Sequence, residues 1–227
     1  MGFWYDTTAA VIRDIYDSRI DGPPILDMDT YFPDGRRFSE SWRAIRDEAL
    51  AVAERLDLVP RFHDIMPEQT AISANDGRDW RMFILKAYGA EVPSNKALCP
   101  VLSAIVDSCP DVLSASFSFV ASKKHIPPHR GPFRGVLRYY LGLSMPLADD
   151  GLPASRLTIA GETYRIGDGE AFLWDDTYAH EVLNRSNRLR VALLLDVKRH
   201  GMPLDMELFS KALIGIVRVG MRARGFA

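Results

Sequence analysis

Between Ser39 and Asp57 apolar residues recur every three or four positions: Trp42, Ile45, Ala49, Val52 and Leu56 fall on one side, with Arg43, Arg46, Asp47, Glu48 and Glu54 between them. This spacing predicts an amphipathic helix, with Ser39 or Ser41 placed to cap it. A second helix is predicted from Ser94 or Asn95 to Ser108, its stripe formed by Leu98, Val101, Leu102, Ile105 and Val106, with Pro110 stopping it. From Ser114 the pattern shortens to strand length. Ser116 to Ala121, Val136 to Ser144, Arg156 to Ile159, Thr163 to Ile166, Glu170 to Trp174 and Arg190 to Val197 read as strands, with Gly, Pro, Asn and Asp in the gaps. Ala160-Gly161-Glu162 reads as a hairpin connection, and so many short strands suggest a sandwich or barrel. From Pro203 to Phe226 helical periodicity returns: Lys211, Arg218 and Arg222 share a face, while Leu208, Phe209, Leu213, Ile214, Ile216 and Val217 cover most of the rest.

The 227 residues suit one large domain without an internal linker or repeat. It is expected to comprise a mainly helical part over 1–113, a β core over 114–200 and a carboxy-terminal amphipathic helix over 203–226. A net charge of -2 argues against a surface built wholly to attract nucleic acid, so no nucleic-acid partner is expected. Cys99 and Cys109 show neither metal-ligand spacing nor a disulfide framework. The first ten residues lack the basic, apolar, small order of a secretory signal, and the longest apolar runs fall far short of the about 18–20 residues needed to span a bilayer. A cytoplasmic protein is expected. The last helix has two readings: its apolar face packs on the barrel with the basic stripe in water, or it lies peripherally in the headgroup region of an anionic membrane.

Five histidines are present, and two of them, His129 after Pro127-Pro128 and His180 after Asp175-Asp176-Thr177, lie at strand edges. In a barrel such edges bring distant imidazoles to one mouth, where neutral nitrogens suit iron, zinc or copper. Arg190 heads the apolar run Val191 to Leu195, and a guanidinium there needs an anionic partner; a bound dicarboxylate would satisfy it. His63, His125 and His200 read as structural or surface residues. Asp175 and Asp176 read as turn residues supporting His180, and Arg134 as a weaker contact for an anionic substrate.

The run His129-Arg130-Gly131-Pro132-Phe133-Arg134-Gly135-Val136-Leu137-Arg138-Tyr139-Tyr140, then Trp174-Asp175-Asp176-Thr177-Tyr178-Ala179-His180, then Arg190, resembles the aspartyl/asparaginyl β-hydroxylase family. The resemblance is strongest from Ser114 to His200. Earlier segments, Tyr31-Phe32-Pro33, Trp42 to Glu48 and Tyr88-Gly89 through Cys99-Pro100, are similar to its bacterial lipid-hydroxylase branch. It implies a mainly β protein with flanking helices, a double-stranded β-helix of jelly-roll, cupin-like type. It further implies a dioxygenase using iron(II), 2-oxoglutarate and O2 to hydroxylate an unactivated C–H bond of an Asp or Asn residue, an amino-acid-like metabolite or a lipid acyl chain. The substrate is expected to be a small molecule, peptide or lipid, and anionic.

By position, the resemblance makes His129 and His180 the iron ligands and Arg190 the partner of the distal carboxylate of 2-oxoglutarate. Ser118 shares that carboxylate, Arg138, Tyr139 and Tyr140 are cosubstrate-binding positions, and Trp80 lines the same pocket. Two departures stand out. Gly131 occupies the place where most such oxygenases have a third, carboxylate ligand, as it does in the animal enzymes; Tyr140 stands where those have histidine. The missing carboxylate keeps a second reading open, a non-catalytic β-helix that senses a metal or 2-oxoglutarate.

Overall fold

The computed structural model of the chain describes residues 2–223. Its helices are α1 (Gly2–Asp17), α2 (Met28–Tyr31), α3 (Gly35–Glu40), α4 (Trp42–Ala53), α5 (Phe62–Ile65), α6 (Thr70–Ser73), α7 (Pro93–Leu98), α8 (Pro100–Asp107) and α9 (Leu204–Ala223). The strands are β1 (Trp80–Ala87), β2 (Ala90–Glu91), β3 (Val112–Val120), β4 (His125–His129), β5 (Val136–Ser144), β6 (Ser155–Ile159), β7 (Glu162–Tyr164), β8 (Ala171–Trp174), β9 (His180–Asn184) and β10 (Arg190–Lys198).

The strands form two antiparallel sheets, ordered β2-β1-β3-β10-β5-β8 and β4-β9-β6-β7. From β3 onward the chain crosses repeatedly between the sheets, which is the double-stranded β-helix expected, with helices on the outside. Alternation along β10 explains the layering. Val191, Leu193, Leu195 and Val197 point outward into a core shared with Phe38, Ile45, Ala49, Leu102 and Val106 of α3, α4 and α8. Arg190, Ala192, Leu194 and Asp196 take the opposite phase, towards the smaller sheet.

The helical predictions need adjusting. Ser41 occupies the position before α4, but neither it nor Ser39 caps the helix through its side chain, and α4 ends at Ala53. The second predicted helix is broken in two at Cys99, because Pro100 lacks an N–H and biases the residue before it away from helical geometry. Strand structure begins well before residue 114: β1 and β2 lie inside the stretch expected to be mainly helical, and β1 joins the large sheet beside β3. The Ala160-Gly161 connection forms as expected. Ile159 pairs with Glu162 and both turn residues have positive φ, 50° and 89°, as a two-residue hairpin loop requires. The predicted end of α9, residues 224–226, lies outside the described residues, as does the Arg222 side chain.

Candidate active site

The register of β4 against β9 brings the two predicted ligands together. Ile126 pairs with Val182, and on an even ladder residue 128 would face His180. The prolines at 127 and 128 cannot sustain the ladder, the register slips by one, and His129 becomes the direct partner of His180. Their ring centroids lie 4.1 Å apart. Each Nδ1 is held by a carbonyl two residues earlier, His129 by Pro127 O at 2.8 Å and His180 by Tyr178 O at 2.9 Å. That contact fixes Nδ1 as the protonated nitrogen and leaves the Nε2 lone pair available. Burial depresses both pKa values, with Arg138 adding to the effect at each and the rings affecting one another at His180, so both are neutral near pH 7. Support for His180 therefore comes from the Tyr178 carbonyl, where the Asp175-Asp176 carboxylates had been expected.

Asp176 has a different place. A Cβ built at Gly131 would fall inside its carboxylate, so the glycine leaves the space that this side chain fills. Gly131 N also donates to Asp176 O at 2.6 Å. One carboxylate oxygen accepts from Arg138 Nη2 at 3.1 Å, while Oδ1 is buried without a partner. Burial outweighs Arg138 and pushes this carboxyl up to about 7, with Asp196 and Asp175 contributing. Among the described residues, no group of three His, Cys, Asp or Glu side chains stands ready-made as a metal cage.

Arg190 is 2% exposed, yet among the described residues no carboxylate contacts it. Its Nη1 meets Ser118 Oγ at 3.3 Å, its guanidinium carbon lies 4.9 Å from the Tyr140 ring, and its Nε has no partner. Trp80 Nε1 donates to the same Ser118 oxygen at 3.1 Å, and the indole stacks on Phe62 at 3.9 Å. Trp80, Ser118, Tyr140 and Arg190 thus come together as the resemblance implied.

Tyr139 does not join them. Adjacent strand residues point to opposite faces, so Tyr139 faces the outer core, packs with Phe32 and Phe38, and donates to Gly35 O at 3.0 Å. Arg138 has the correct phase but is engaged by Asp196 at 2.7 Å and Asp176 at 3.1 Å, beside the histidines and away from Arg190. Despite its burial, these carboxylates raise its pKa further. Arg134, expected to meet an anionic substrate, is buried against Asp175 and Asp17. The remaining histidines have the plain roles expected of them: His63 bonds Ser73, His125 bonds Glu181 and His200 bonds Asp111.

His129, His180, Asp176 and Arg138 form one wall of a cavity of about 370 Å³. The other walls are largely apolar: Phe62, Ile65 and Met66 near α5, Met82 and Ile84 of β1, Ile12 of α1, Phe133, and Leu213 and Val217 of α9. The contributions of α1, α5 and α9 were missed because their residues give no chemical signal until the fold assembles them. Asp196 carries a readable signal: it shares the strand phase of Arg190 and interrupts an otherwise apolar run.

A family model described as aspartyl/asparaginyl β-hydroxylase matches residues 39–200. The chain belongs to this family. It is similar to the ornithine lipid ester-linked acyl 2-hydroxylase of Rhizobium tropici, with 35% identity over 179 residues, covering 79% of this chain and 62% of that protein. It is also similar to the human aspartyl/asparaginyl β-hydroxylase, with 25% identity over 167 residues, 71% of this chain and 20% of that protein. The chain therefore spans less than two thirds of either relative. Among solved structures, a Pseudomonas putida prolyl-4-hydroxylase aligns over 86% of this chain and 100% of its own, with 16% identity and a TM-score of 0.43.

Proposed function

We propose that this chain is an iron(II)- and 2-oxoglutarate-dependent hydroxylase acting on the acyl chain of a lipid. The observation that carries the reading is that one β-helix holds two neutral, backbone-anchored imidazoles on its cavity wall and, on the inner face of β10, a buried guanidinium that meets no carboxylate among the described residues. His129 and His180 would hold the metal through Nε2, and Asp176 contributes an unpaired carboxylate oxygen on the same wall. This donor set suits a divalent cation that keeps positions open to small molecules. Arg190 suits an acid: burying a lone guanidinium is unfavourable, and a bound carboxylate would remove that penalty, with Ser118 as a second contact.

When bound, iron(II) with 2-oxoglutarate and dioxygen supplies the oxidising power to place a hydroxyl on an unactivated C–H bond, releasing succinate and carbon dioxide. The chain's own residues bind, orient and shield. Pro127 O and Tyr178 O fix the imidazoles, Asp196 and Asp176 hold Arg138 beside them, and Trp80 fixes Ser118. The walls built by Phe62, Met82, Ile84, Phe133, Leu213 and Val217 exclude water and match an aliphatic chain better than a charged peptide. The acyl-lipid activity for which the Rhizobium tropici relative is named supports the same substrate class.

The test is anaerobic addition of iron(II) and 2-oxoglutarate, which should produce a weak visible charge-transfer band. Admission of oxygen with detergent-dispersed acyl lipids should then release succinate and a product one oxygen atom heavier. A chain that binds both ligands but turns over no acyl lipid would leave the sensor reading in its place.

A further inference from the structure

We propose that α9 docks on an anionic lipid bilayer, so that the cavity lies just beneath the membrane surface. One side of α9 is accounted for by the protein: Met206, Ser210 and Ile214 are buried, and Phe209 packs on Tyr16 of α1 at 5.5 Å between ring centroids. The opposite side carries a second apolar stripe. Leu204, Leu208, Ile216 and Val219 are 71%, 56%, 68% and 68% exposed, with Ala212 between them. Their spacings of 4, 8 and 3 residues keep them on one side of the helix. The neighbouring α1 adds exposed Val11 and Ile15. A helix apolar on both sides has more greasy surface than the fold consumes.

Charge selects the occupant. From Lys211 to the end of the sequence every charged residue is basic: Lys211, Arg218, Arg222 and Arg224. Lys211 and Arg218 lie along the edge of the exposed stripe and border a groove of about 370 Å³ that Glu207 also lines, together with Lys198 and His200, both of which are paired with Asp111. Aliphatic residues flanked by lysine and arginine match a layer of anionic headgroups over acyl chains. Leu213 and Val217, on the inner side of the same helix, line the active-site cavity, so an acyl chain drawn from the surface has a short route to the histidines. That route rests on the function proposed above; the docking itself does not.

The experiment is flotation of the metal-free chain with vesicles of phosphatidylcholine plus phosphatidylglycerol, and of phosphatidylcholine alone. Wild type should float with the anionic vesicles and less at high salt. L208E/I216E should bind at least about tenfold more weakly, since two inserted aliphatic side chains become charged. K211E should lose binding to anionic vesicles only. All three substitutions lie on exposed positions, so thermal unfolding should be unchanged. L208E/I216E should retain turnover of detergent-dispersed lipid while losing turnover of vesicle-borne lipid. Docking without any turnover would remove the proposed reaction and leave the docking intact. Wild type that floats with neither vesicle overturns the proposal. So does a wild-type dimer that L208E/I216E converts to monomer, because the stripe would then be a contact between two copies.

Discussion

Two buried clusters of charge lie in this β-helix, and they are built on opposite principles. Around Asp175 every charge is answered: its carboxylate, 1% exposed, meets Arg134 at 2.9 Å and Arg199 at 2.8 Å and accepts from Thr177, while Arg134 also meets Asp17 and Ile20 O. Around Arg190 the guanidinium is as deeply buried, but its contacts are a serine hydroxyl and the face of a tyrosine. The first cluster is complete without a ligand and ties α1, β8 and the chain after β10 together. The second lacks that balance, and the proposed 2-oxoglutarate carboxylate would supply it. Burial of charge therefore marks a ligand site only where the partners fail to balance, a distinction that composition and spacing cannot make.

Asp175→Ala tests the complete cluster and should have the largest effect. It strands the buried Arg199 and leaves Arg134 with only Asp17 and Ile20 O, so a loss of about 3–5 kcal/mol in denaturant-derived stability is expected. A loss below about 1 kcal/mol would show that water reaches the cluster and that it is not sealed as described.

Arg190→Leu should behave in the opposite way. The ligand-free chain loses an unpaired buried charge, so its stability should be unchanged or higher. Affinity for 2-oxoglutarate, measured calorimetrically, should fall about a hundred- to a thousandfold, equivalent to about 3–4 kcal/mol. The rise in melting temperature that 2-oxoglutarate gives wild type should vanish. A marked destabilisation with intact affinity would make Arg190 another Arg134.

Gly131→Ala probes the boundary of the site. Its new methyl group collides with the Asp176 carboxylate, and overpacking of this kind costs about 1–3 kcal/mol. Adding Asp176→Ala should relieve most of that cost. The double-mutant cycle should thus show a coupling well above the about 0.5 kcal/mol found between independent sites. Additive effects would separate the two residues.

How far the fold could be read in advance follows from how each element keeps its period. β5 and β10 are apolar-rich runs of nine residues each and were legible almost to their ends, although the ladder between them shifts register between Val191 and Ala192. In β1 the alternation is spoiled by a register shift at Leu85, and β4 carries two prolines, so neither announced itself. The site divides similarly. The resemblance singled out His129, His180, Ser118 and Arg190 as candidates, but only the β4 slip explains why two histidines 51 positions apart in the chain face one another. Asp176 could not be placed, since its meaning depends on the space left by a glycine on another strand. The assignment of Tyr139 failed for a reason already present in the sequence: it adjoins Tyr140, and a pleated strand cannot aim both at one pocket.

That alternation supplies the finest test of the two faces. Tyr139→Phe removes a hydrogen bond to Gly35 O inside the outer core, so stability should drop by about 0.5–1.5 kcal/mol and 2-oxoglutarate affinity should not change. Tyr140→Phe removes a hydroxyl whose pKa burial raises and the neighbouring Arg190 partly lowers. Cosubstrate affinity should weaken several-fold, within about 1 kcal/mol, with little change in stability. The two measurements thus report separately on opposite sides of one strand. Equal weakening of 2-oxoglutarate by both variants would require β5 to be twisted out of its register with β10, where Tyr140 pairs with Leu194 and Tyr139 with Leu195.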